Sequence, residues 1–174
     1  MNTAPQTATK REWIRRLNLL DAIEPSQLSD ALIRASWDAL QEMRPVQKAI
    51  QETRSALAKK YAMTDKEGTP QTKRMLQEEL MGEEDEEDGQ PSEDEQTEVG
   101  DVLEDILADH DTVQAQEGII VLEDSEGFEE AMGETLDEEE TLDIPQVPLG
   151  EATDSEIGMV GLQEIFGWLI EGDG

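Results

Sequence analysis

The chain contains no cysteine, a single histidine, and only three Trp, two Phe and one Tyr. Without thiols there is no disulfide framework, no thiolate zinc site and no cysteine nucleophile. A lone histidine also leaves multi-histidine metal sites short of ligands. No segment approaches the roughly 18 consecutive apolar residues of a membrane-spanning helix. Residues Met1 to Lys10 are polar and lack the apolar core of a signal peptide, so a cytoplasmic protein is expected. The most lopsided absence is of positive charge, since not one Lys or Arg follows Arg74.

What is present is acid. The 174 residues include 44 Asp and Glu against 13 Lys and Arg, for a net charge of -31, and 36% are hydrophobic. That composition lies between a globular and a disordered chain. Residues 1–74 hold all 13 basic residues and 9 acids, a surplus of +4, which leaves 35 of the 44 acids in residues 75–174. Such a charge excludes a typical nucleic-acid-binding protein, which needs clustered cations to displace counterions, and it opposes docking on anionic membranes. The asymmetry points to a folded segment joined to an acidic interaction region.

Periodicity predicts a mainly α fold. From Thr9 to Ile23, Trp13, Leu17 and Leu20 recur at helical spacing opposite Lys10, Arg11, Arg15 and Arg16. Glu24-Pro25-Ser26 starts a second helix, whose apolar positions run from Leu28 through Met43 and Ile50 to Tyr61. Pro45 predicts a kink or a break into two helices, because it removes one backbone donor. Thr64 to Pro70 reads as a turn and Gln71 to Met81 as a brief helix. Residues 82–98 read as an acidic flexible linker, since they offer almost nothing to bury. Beyond them come an acidic helix with an apolar stripe of Val99, Val102, Leu103, Ile106 and Leu107, and a strand at Gly118 to Leu122. A helix over Phe128 to Leu136 follows, then an extended, edge-type segment from Leu142 to Leu149. An apolar terminal helix over Ile157 to Ile170 ends the pattern. The expected architecture is an N-terminal helical hairpin or small bundle in a domain of residues 1–81, the linker at 82–98, and an acidic α+β segment over 99–174.

The proline-initiated helix leading to Arg54, Leu57, Lys60 and Tyr61, the turn Asp65-Lys66-Glu67-Gly68, and a later Leu136 to Glu140 segment carry a resemblance. In the same series, an extended Ile144, Val147 and Leu149 element precedes a short helix over Leu162 to Ile170. The arrangement resembles a family of small, functionally uncharacterised proteins of tailed viruses of bacteria and archaea, covering roughly half the chain. It departs from the family pattern in that Met75 to Gly127 intervenes as an acidic insertion. The resemblance implies a virus-encoded, non-enzymatic protein made in the host cytoplasm, with a part in particle assembly.

Candidate chemistry is sparse. Glu84 to Gly89 with Glu95 has glycine at the sixth and Glu at the twelfth place of a calcium loop, but Glu84 opens it and Pro91 takes the eighth place, where Asp and an apolar residue belong. The expected behaviour is diffuse cation binding by the acidic segment. His110 between Asp109 and Asp111 lacks a positioned second group and reads as an exposed histidine without function. No phosphate-binding glycine loop or serine nucleophile elbow is present. The reading is therefore no enzyme, no cofactor and no catalytic or metal-binding residues.

The leading expectation is a virion structural or assembly protein acting through protein contacts. Its partners would be other virion proteins and a second copy of itself, with no direct nucleic acid and no membrane. The candidate contact residues are Trp13, Leu17, Leu20, Trp37, Phe166, Trp168 and Leu169, each with core packing as the competing reading. The basic side of the first helix is expected to face the chain's own acidic segment. A second functional class is mimicry of nucleic-acid charge against a host DNA-handling enzyme, which calls for carboxylates on rigid elements. A third reading takes the acidity as adaptation to a high-salt cytoplasm.

Overall fold

The computed structural model describes residues 2–82, 93–152, 165 and 167–170, with 93–99 described in backbone only. The fold is mainly helical. Its elements are β1 (Asn2–Thr9), α1 (Lys10–Ala22), α2 (Asp30–Lys60), α3 (Lys73–Gly82), α4 (Glu93–Asp109), β2 (Thr112–Ala115), β3 (Gly118–Val121), α5 (Ser125–Asp137), β4 (Glu139–Gln146) and α6 (Leu149–Ala152). A short 3-10 turn, Pro25–Gln27, precedes α2. The chain divides into two compact units, residues 1–50 with 134–174, and residues 51–133. This division differs from the one expected from charge at 81 and 98, because the first unit joins the two ends of the sequence.

That joining is done by β1 and β4, an antiparallel ribbon in which Asn2 pairs with Gln146 and Thr9 with Glu139. The Lys10 amide continues the ladder to the Glu138 carbonyl at 2.9 Å, which assigns the even-numbered β1 residues to the hydrogen-bonded pairs. Pro5 opposes Asp143 and Pro145 opposes Thr3, both in the other class, whose backbone groups point away from the partner strand. Neither proline therefore costs the ribbon a bond. Pro5, which is exposed, instead removes a donor from an outer edge where an unpaired amide would invite another strand, while Pro145 is buried. On the inner face, Ala4 and Gln6 alternate with exposed neighbours, as do Glu140 and Leu142, while Ile144 and Pro145 are both buried.

Thr9 ends β1 and caps α1, its hydroxyl accepting a hydrogen bond from the Glu12 amide at 3.2 Å. Trp13, Leu17 and Leu20 then form one buried stripe. The start of α2 is capped by the Ser29 hydroxyl, which accepts from the Leu32 amide at 3.4 Å. Asp30 in its first turn and Lys59 and Lys60 in its last agree with the helix dipole. The helix continues through Pro45, so the expected break does not occur. Buried Leu32, Ala35, Ala39 and Met43 before it and Val46 and Ile50 after it fix one stripe on both sides. Pro45 and Gln41, whose carbonyl loses its donor, are both exposed, which leaves that carbonyl to water. Ile144, Val147, Ile165, Leu169 and Ile170 are also fully or almost fully buried in this unit. Val147 bridges Ile170 in parallel, its amide donating to the Leu169 carbonyl at 2.9 Å. Most of the expected terminal helix lies outside the described residues.

The second unit is built around the β2–β3 hairpin, whose pairing runs from Thr112 with Val121 to Ala115 with Gly118. Gly118, at φ +129°, takes the backbone twist that closes the hairpin. The predicted strand is thus β3, while its partner β2 was not foreseen. On the other side of β3 the segment Tyr61 to Thr72 doubles back. Met63 donates to Val121 at 2.9 Å, and Val121 donates to Gln71 at 3.2 Å. The fold-back turn is held by Asp65, whose carboxylate accepts from the Glu67 and Thr69 amides at 2.9 and 2.8 Å, with Gly68 at φ +82°. Two small clusters fill this unit. One gathers Ala58, Ala62, Val113, Ile120, Leu122 and Phe128, the other Leu76, Leu103 and Val121. Residues 93–98, expected to be flexible linker, belong to α4, and residues 83–92 of that linker lie outside the described set.

Candidate protein-docking site

The seven candidate contact residues separate by burial. Trp13 is 0% exposed, Leu17 2%, Leu20 5%, Trp168 5% and Leu169 0%, which makes these five core residues of the first unit. Phe166 lies outside the described residues. Trp37 is 59% exposed and stands out on α2 beside Ile33, which is 37% exposed. The pattern follows from helical phase. Trp13, Leu17 and Leu20 share a stripe, whereas Trp37 follows Ile33 by four residues on a side away from the Leu32, Ala35 and Ala39 stripe.

Two of the core tryptophans form a charged stack. The Arg16 guanidinium lies 4.8 Å from the Trp13 ring centroid and 5.2 Å from that of Trp168. Its edge donates to Glu12 and Gln6, each at 3.2 Å. Gln6 in turn donates to the Trp168 carbonyl at 2.6 Å, and the Trp13 indole N–H donates to the Glu140 carbonyl at 2.9 Å. These bonds satisfy polar groups and explain why large aromatics sit here with partners for their N–H or cation. They serve packing. The rest of the basic side of α1 is also occupied, since Lys10 pairs with Glu138 at 2.5 Å and Arg11 with Asp137 at 3.1 Å. The expected intramolecular acidic partner is therefore the Asp137–Glu138 stretch between α5 and β4.

Trp37 borders an open groove of about 480 Å³. One wall comes from the end of α1 and the 3-10 turn, through Leu20, Ile23, Pro25 and Leu28, the other from Ile33, Trp37 and Leu40 of α2. α1 ends at Ala22, Ile23 and Glu24 are extended, and Pro25 opens the 3-10 turn at its first position, so the chain between the two walls is not one continuous helix. The size and apolar lining are those of a site that receives a side chain or a small apolar group. Ser36 also lines it, and its buried hydroxyl is the one buried side-chain polar atom without a partner among the described residues. The Arg44 guanidinium lies 5.6 Å from the Trp37 ring centroid.

Elsewhere the described residues offer little chemistry. No group of three or more His, Cys, Asp or Glu among them is placed to hold a metal. His110 is half-buried rather than exposed, with Nδ1 3.1 Å from the Leu122 carbonyl oxygen. A carbonyl oxygen only accepts, so Nδ1 carries a proton and the ring serves the hairpin. The calcium-like stretch lies outside the described residues from Glu84 to Pro91. None of the described helices is long and apolar enough to cross a membrane. Sequence reasoning named Trp37 and Leu20 but missed Ile23, Pro25, Leu28 and Ile33, whose signal was the apolar content of the predicted helix junction. No protein family, no curated protein and no solved structure matches the chain, so the functional reading rests on the groove itself.

Proposed function

We propose that the protein is a non-enzymatic structural or assembly protein of a tailed-virus particle, working through protein contacts at the groove beside Trp37. One observation carries the reading: a large aromatic side chain stands 59% exposed at the lip of an apolar groove. Exposed tryptophan beside a pocket is the composition of a binding hot spot, and its hydration is a cost that a partner relieves. The reading places the protein in the host cytoplasm during assembly and then in the particle, with other virion proteins as partners. Within it, α1 and α2 pack as a helical hairpin or small bundle that presents the groove. Mass spectrometry of purified particles, beside a tagged pull-down from infected cells at matched salt, tests it. Recovery at fixed stoichiometry is expected, and absence from particles overturns it.

A second reading, charge mimicry of nucleic acid, gains from one feature of the second unit. Asp101, Glu104, Asp105 and Asp109 are exposed on α4, a regular element rather than a floppy run. In that case the same pull-down returns a DNA-handling enzyme that duplex DNA displaces.

A further inference from the structure

We infer that the groove beside Trp37 receives a second copy of this chain, pairing the α2 faces of two molecules about a two-fold axis. The inference rests on the protein-contact reading and names the occupant. Two molecules at -31 each repel one another, so a contact between copies must use a face where charge is cancelled. The α2 surface of the first unit meets that condition. Between Asp30 and Ile50 the acids Asp30, Asp38 and Glu42 are balanced by Arg34, Arg44 and Lys48. By contrast, residues 75–174 contain no basic residue at all.

The face is also complementary to itself. Knob and hole lie side by side, Trp37 projecting and the groove of about 480 Å³ next to it. A two-fold axis makes every contact reciprocal, so the Trp37 of each copy enters the groove of the other. An indole fits within that volume with room for the lining side chains to close on it. Charge agrees with shape. Arg34 and Asp38 both line the groove, and neither forms an ion pair with any described residue. Their order on the helix, base before acid at a spacing of four, is the weaker orientation for an intrahelical pair. Across a two-fold axis, Arg34 of each copy faces Asp38 of the other, and two free charges on one molecule become two ion pairs between molecules.

Sedimentation equilibrium of the full chain over a concentration series tests this. The weight-average mass is expected to rise from 19.4 kDa toward twice that value. Trp37→Ala, at an exposed position that leaves the core intact, is expected to weaken association on the order of tenfold or more. Arg34→Asp and Asp38→Arg are each expected to weaken it, and the double reversal to restore it, a recovery that a merely structural effect does not produce. A mass fixed at 19.4 kDa at every concentration overturns the inference, as does a dimer indifferent to all three positions. Either result leaves the virion reading to its own test, because particle recovery is measured independently of self-association.

Discussion

The two units solve the same shortage of apolar material differently. The first concentrates large side chains, with Trp13, Leu32, Met43, Ile144, Ile165, Leu169 and Ile170 all fully buried, and uses Arg16 as a polar plate between two indoles. The second has smaller clusters, in which Ala58, Ala62 and Val113 share space with Ile120, Leu122 and Phe128, and adds backbone bonds between β3 and the doubled-back segment. Burying one large apolar side chain supplies about 1.5–3 kcal/mol, whereas one backbone bond nets about 1 kcal/mol. The first unit combines its large buried side chains with the long β1–β4 ribbon, whereas the second, with fewer large side chains, leans more on its turns.

The contrast is broken most severely by Trp13→Ala. It removes a fully buried ring, an indole bond and half of the Arg16 stack, and is expected to cost about 3–5 kcal/mol in urea unfolding. Amide exchange should show the loss in β1, α1 and β4. The second unit is probed by Gly127→Ala. A Cβ there meets Asp124 Oδ2 at 2.4 Å and the Tyr61 ring at 2.7 Å, so about 1–3 kcal/mol is expected from displacing the Asp124 cap and the ring.

Acid sharpens the comparison further. The Thr69 amide, with that of Glu67, holds the Asp65 carboxyl below its usual range, and Lys59 does the same for Glu117 through a direct hydrogen bond. A carboxyl lowered by folding contributes stability above its unfolded-chain value and loses it as pH falls through the folded value. Amide protection at Glu67 and Thr69 is therefore expected to decline as pH falls below the ordinary carboxylate range, and Asp65→Ala to abolish that decline by removing the protection from the start. The smallest effect belongs to Pro5→Thr. It is expected to change stability by about 1 kcal/mol or less, leave ladder protection unchanged, and add an edge donor that raises aggregation in light scattering.

Local signals carried much of this fold. The spacing of Trp13, Leu17 and Leu20 gave α1 to within a residue of each end, and Asp65 with Gly68 gave the turn. What escaped were elements defined by partners far away in sequence. Asn2 to Thr9 has no apolar alternation, and it is a strand because β4 pairs with it. Thr112 to Ala115 likewise has a single large apolar residue, Val113, and owes its conformation to β3. For the candidate site, sequence grouped the three tryptophans together. Only tertiary structure separates Trp13 and Trp168, joined through Arg16, from Trp37, because a helical stripe shows which residues share a face and not which face is covered.

The central claim, that Trp37 marks a protein-contact surface, is tested most directly by a photo-crosslinking amino acid at position 37 of the full chain, activated in infected cells. Adducts to a second copy or to a virion protein, lost when the probe is moved to exposed Glu104 on α4, are the predicted result. Adducts that form only from the α4 position, to a DNA-handling enzyme, would contradict the account.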